Sequence, residues 1–82
     1  MPQPSILEID LHGKNTYQAR VAIDAALRRA SAATYRIRLI HGCNLGTAIL
    51  DFIWDTYENH PRVLRLAEGA NRGITELVLR EY

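Results

Sequence analysis

Among 82 residues the chain has one cysteine, one methionine, one tryptophan and one phenylalanine. A single thiol, Cys43, leaves no partner for an internal disulfide, and a reducing, cytoplasmic setting is expected. No apolar run approaches the roughly 20 residues that a bilayer-crossing helix needs. The first residues also lack the basic start and apolar stretch of a signal peptide, so no membrane partner is expected. Charge of one sign is scarce as well: ten Lys and Arg against nine Asp and Glu leave a formal net charge of +1. Bulk attraction to a polyanion is therefore excluded, and any such binding must come from local patterning. Neither a Walker-type loop nor a dinucleotide fingerprint appears, so no cofactor is expected. Asp10, His12 and His41 have the chemistry to ligate zinc, but no tight ligand spacing calls for a metal, and none is expected.

What is present suffices for one small globular domain. The chain is 48% hydrophobic and 23% charged, ordinary values for a folded protein. Residues 1–5, with two prolines, read as a disordered leader, and residues 6–82 as a single domain. Ile6 to His12 alternates as a strand, with Leu7, Ile9 and Leu11 on one face and Glu8, Asp10 and His12 on the other. Asn15 begins a helix, with Gln18 placed to complete a capping box. Ala19, Ile23, Ala26, Leu27 and Ala30 form its apolar stripe. Tyr35 to Ile40 is a second strand, and Thr47 to Asn59 a second helix striped by Ile49, Leu50, Ile53, Trp54 and Tyr57. That spacing assigns Trp54 and Tyr57 to the core, not to a base-stacking platform. Val63–Ala67 and Ile74–Arg80 are two last strands around a loop of turn formers.

The order βαβαββ predicts a two-layer α/β sandwich, a four-stranded sheet with both helices on one face. Glu8, Arg36, Arg38, Arg65, Glu76 and Arg80 would occupy the other. Two readings of that face stand side by side: a solvated sheet held by cross-strand ion pairs, or a surface for nucleic acid.

Chemistry gathers at two strand ends. Asp10 and His12 close the first strand, and Gly13 permits the turn out. Ile40-His41-Gly42-Cys43-Asn44 echoes Leu11-His12-Gly13-Lys14-Asn15 twenty-nine residues later. Parallel strands bring their carboxyl ends to the same edge, so Asp10, His12 and His41 are expected to converge. An imidazole oriented by a carboxylate can move protons near neutral pH, and two imidazoles could act on a phosphodiester as base and acid. Backbone amides from Gly42 to Gly46 offer a phosphate cradle, and Arg72 a clamp. The plainer alternative is that each histidine only caps its turn. Cys43 is either a nucleophile or a small residue filling that turn.

Ile9-Asp10-Leu11-His12-Gly13, followed by Ile40-His41-Gly42 and Arg72-Gly73-Ile74-Thr75, resembles the signatures of the Smr (small MutS-related) domain, over about Leu7 to Arg80. Where that family usually has H-G-x-G, this chain has His41-Gly42-Cys43-Asn44. The resemblance implies a mixed sheet similar to the C-terminal domain of bacterial translation initiation factor three, with the last strand antiparallel between the second and third. It also implies binding of structured or branched DNA or RNA, a tie to DNA repair, and endonuclease (hydrolase) activity without a tightly held metal. Carried over, Asp10 and His12 match the motif residues implicated in cleavage, and His41 and Gly42 the second signature. The expected catalytic set is Asp10, His12 and His41. The expected phosphate-binding set is Gly13, Gly42, Asn44, Gly46, Arg36, Arg38, Arg72 and Gly73. A non-catalytic module for nucleic acid or the ribosome is the alternative, and a scaffold with no nucleic-acid role a third reading.

Overall fold

A computed structural model describes residues 4–42 and 48–81. The elements run in the expected order: β1 (Ser5–Asp10), α1 (Thr16–Arg29), β2 (Thr34–Ile40), α2 (Ala48–Tyr57), β3 (Arg65–Glu68) and β4 (Ile74–Val78). The four strands form one sheet in the order β1-β2-β4-β3. β1 and β2 are parallel, and β4 is antiparallel to both of its neighbours. The last strand therefore inserts between β2 and β3, as the resemblance implies.

Register sorts the side chains into two faces, because directly paired residues share a face. Ile37 pairs with Leu7 and Leu77, and Leu39 with Ile9 and Thr75. This face meets Ala19, Ile23, Ala26 and Leu27 of α1 and Ile53 and Tyr57 of α2 in one buried cluster. Trp54 is partly buried against it, as is Phe52, so Trp54 and Tyr57 belong to the core as expected. The Tyr57 hydroxyl, buried with the core, donates to Asp24 Oδ1 at 2.7 Å. Burial and that bonded carboxylate push its pKa up. Among the described residues no helix is long and apolar enough to cross a membrane.

Element ends differ from expectation for local reasons. β1 starts at Ser5, inside the expected leader, because the Ser5 N–H donates to the Ala33 carbonyl at 2.9 Å. β1 ends at Asp10, because the chain turns at His12 and Gly13. α1 starts as read: Asn15 Oδ1 accepts from the Gln18 N–H at 2.8 Å, and Gln18 Oε1 from the Asn15 N–H at 3.0 Å. β3 starts at Arg65, two residues later than expected, and β4 ends at Val78, two residues earlier. The expected α2 start at Thr47 lies outside the described residues.

The second sheet face carries Glu8, Arg38 and Glu76 in register, with Arg36 and Arg65 on either side of Val78. Arg36 and Arg38 both bind the Glu76 carboxylate, Arg38 through Nε at 3.0 Å. Arg38 also reaches Glu8 at 3.4 Å, and Arg65 Nε donates to Glu81 at 2.7 Å. Arg80 lies beyond β4, its N–H directed to the Tyr35 carbonyl. The cross-strand ion-pair reading thus describes this face: its strand-borne arginines are neutralised locally.

Candidate functional site

Leu11 is fully buried and pins the end of β1, with its N–H donating to the Ile40 carbonyl at 2.7 Å. From there Lys14 N–H bonds back to the Leu11 carbonyl at 3.1 Å, closing a four-residue turn. Gly13 takes φ +76° at its third position, the conformation a type II turn reserves for glycine. The turn brings His12 back over Asp10. Asp10 Oδ1 accepts from the His12 N–H at 3.0 Å and meets His12 Nδ1 at 2.6 Å. The two side chains therefore touch through an Asx-turn, not through strand alternation, which would leave residues i and i+2 about 7 Å apart.

Asp10 has its pKa lowered from 3.8, first by the hydrogen bond from the His12 ring and next by the His12 backbone N–H. An ionised carboxylate only accepts, so Nδ1 carries the ring proton and Nε2 of neutral His12 holds a lone pair. Nε2 has no hydrogen-bond partner among the described residues, and the His12 side chain is 77% exposed.

The second strand end is built differently. Gly42 also takes φ +76°. The N–H groups of His41 and Gly42 both donate to the Gly73 carbonyl, at 2.9 and 3.0 Å. The His41 ring spans the same junction, with Nδ1 2.8 Å from the Gly42 carbonyl and Nε2 2.9 Å from Thr75 Oγ1. A carbonyl can only accept, so Nδ1 bears the proton and Nε2 takes the Thr75 hydroxyl. Both nitrogens are occupied by the protein, which is the turn-capping alternative. A Cβ on Gly73 would sit 3.2 Å from Gly42 Cα and 3.2 Å from Asn71 Oδ1. Gly42 is held by hydrogen bonds to Gly73 itself and has little room to give. Gly73→Ala is expected to cost about 1–2 kcal/mol of stability in urea unfolding.

Both histidines line one cleft of about 610 Å³, together with Gly13, Lys14, Thr16, Gly42 and the first turn of α2. Asp10 joins them through His12, so the expected convergence is found. Gly73 supports the rim from behind Gly42, and exposed Arg72 precedes it on the β3–β4 loop. Arg36 and Arg38 do not line this cleft; they lie in the ion pairs of the sheet face. Asn44 and Gly46, like Cys43, fall outside the described residues. Lys14 and Thr16 line the cleft although neither belongs to the expected site sets. The signal was present: a lysine directly after Gly13, just ahead of a helix N-terminus, where anions are favoured. Among the described residues no three of His, Cys, Asp and Glu gather as a metal-ligand cluster.

A parallel β1–β2 pair whose two strand ends line one cleft, with an antiparallel β4 beside β2 in the same sheet, defines a small two-layer α/β domain with its site at the sheet edge. The chain belongs to the Smr domain family, whose sequence model matches residues 9–77. It is similar to the Smr domain of Thermus thermophilus MutS2, known from a crystal structure: TM-score 0.81 and 29% identity, over 92% of this chain and 99% of that one. No curated protein matches it.

Proposed function

We propose that this Smr domain binds structured or branched DNA or RNA and cleaves it slowly, with His12 as the proton-transferring group. One observation carries the reading: His12 is bonded through Nδ1 to an ionised Asp10, while Nε2 has no partner among the described residues and the ring lines the cleft. That arrangement sets the tautomer a general base requires. On RNA, Nε2 would take the proton of the 2′-hydroxyl beside the scissile phosphate; on DNA, that of an attacking water. Lys14 at the rim and Arg72 near it offer positive charge to the phosphate. His41, bonded through both nitrogens, serves in this reading as the lock of the Gly42–Gly73 junction, and the proton transfer rests with His12.

Asp10→Asn is expected to slow cleavage less than loss of the imidazole does. The amide oxygen can still accept from the His12 N–H and ring, but the negative charge is gone. The wild-type dyad also has a signed pH dependence. Its carboxylate form is complete above pH 3.8 and is lost only as pH falls through the lowered Asp10 value. Salt-sensitive binding of labelled structured RNA or branched DNA, with slow strand breaks, is the expected result. Absence of salt-sensitive binding to either would overturn the reading and leave a scaffold.

A further inference from the structure

Positive charge on this molecule is divided unevenly between its two layers. On the sheet face Arg36, Arg38 and Arg65 are all tied to carboxylates. On the helical side, Arg20, Arg28 and Arg62 join no ion pair among the described residues, and all three are exposed. These three and His60 line a second groove, of about 420 Å³, along the flank of α1 against the end of α2. Asp24 is the one carboxylate lining it, and its Oδ1 accepts the Tyr57 hydroxyl.

We propose that a single-stranded segment of the bound nucleic acid leaves the His12 cleft and runs along this groove, its phosphates held by Arg20, Arg28 and Arg62. The inference rests on the functional reading above and adds to it the path of the strand. Continuity is the first support. Lys14 and Thr16 line the cleft at the start of α1, and Arg20 and Arg28 follow on the same helix. Eight residues of helix rise about 12 Å, the span of three to four stacked nucleotides at roughly 3.4 Å each.

Tyr17, 73% exposed, stands one turn before Arg20. An exposed aromatic ring beside a row of cations is the combination that single strands use, since an unpaired base can offer its face for stacking. A duplex keeps those faces covered. Among the described residues Tyr57 is buried in the core and Tyr35, Phe52 and Trp54 are partly buried, which leaves Tyr17 as the exposed ring there.

Charge also bounds the path. Asp55 on α2 and Glu58 just past its end, three residues apart, are both exposed. A phosphate chain would be repelled from them and confined to the α1 side.

The test is oligonucleotide binding measured against salt, for wild type, Arg28→Ala/Arg62→Ala, Tyr17→Ala and Arg65→Ala, with single-stranded and duplex probes. All four positions are exposed, and far-UV circular dichroism checks that each variant folds. The double variant is expected to flatten the slope of log affinity against log salt for single strands by about 1.4, or 0.7 per arginine. Tyr17→Ala should weaken single-strand binding about fivefold or more with the slope unchanged. Arg65→Ala, on the sheet face, should match wild type. An unchanged slope in Arg28→Ala/Arg62→Ala, or equal losses on duplex, would overturn the path while wild-type binding kept the functional reading. Absent wild-type binding would overturn that reading itself.

Discussion

His12→Ala should lower the rate of strand cleavage about 10²–10⁴-fold while leaving affinity within a few-fold, the range typical of one positioned acid–base group. The separation follows from geometry. His12 is largely exposed and bonded only to Asp10 among the described residues, so removing its ring takes no support from the core. The backbone N–H of residue 12 still reaches Asp10 Oδ1, so the Asx-turn remains. Binding draws on cations elsewhere. A rate untouched by the substitution would assign the strand breaks to another site or another protein. Equal losses in rate and affinity would make His12 a binding contact only.

Glu76→Gln is expected to be the most damaging change on the sheet face, costing about 1–3 kcal/mol at neutral pH. The Glu76 side chain is only 8% exposed and accepts from both Arg36 and Arg38, whose own side chains are about a third exposed. That access to water keeps the cost below that of breaking a fully buried pair. A domain of this size has roughly 4–12 kcal/mol in all, so the loss is readable in denaturant. Burial pushes the Glu76 carboxyl up, but hydrogen bonds from Arg38 and Arg36 with their charges outweigh it and hold it below its ordinary 4.5. Its stabilisation is therefore full above pH 4.5 and fades as pH falls through the lowered native value. The gap between wild type and variant should narrow on acidification. A gap that widened there, or was absent at pH 7, would remove the ion-pair account of this face. The variant also removes the carboxylate charge facing Arg36 and leaves Arg38 with Glu8 alone, so non-specific polyanion binding should rise.

Local chemistry was the most legible part of the sequence. The Asn15–Gln18 capping box and the Ala19-Ile23-Ala26-Leu27 stripe depend on residues three or four apart, and both stand in the structure. The insertion of β4 was reached through the family resemblance, since periodicity within a strand carries nothing about its neighbours. That insertion is what delivers Glu76 between Arg36 and Arg38, so alternation alone left the charge of the sheet face undecided. The meeting of Asp10 with His12 was foreseen for the wrong geometric reason. Alternation puts the two residues on one side, but the turn at Gly13 brings them into contact. The double engagement of His41 requires Gly42 and Thr75, the latter thirty-four residues away, and no spacing rule joins them.

The chemistry of His12 is tested most directly by the ends of the product strands. Wild-type protein acting on labelled RNA with chelator present should leave a 2′,3′-cyclic phosphate on one fragment and a free 5′-hydroxyl on the other. Those ends follow when Nε2 takes the 2′-hydroxyl proton, the 2′-oxygen bonds to phosphorus as the bond to the 5′-oxygen breaks, and water protonates the departing 5′-oxygen. Fragments ending in a 3′-hydroxyl and a 5′-phosphate, formed only when metal is restored, would contradict it.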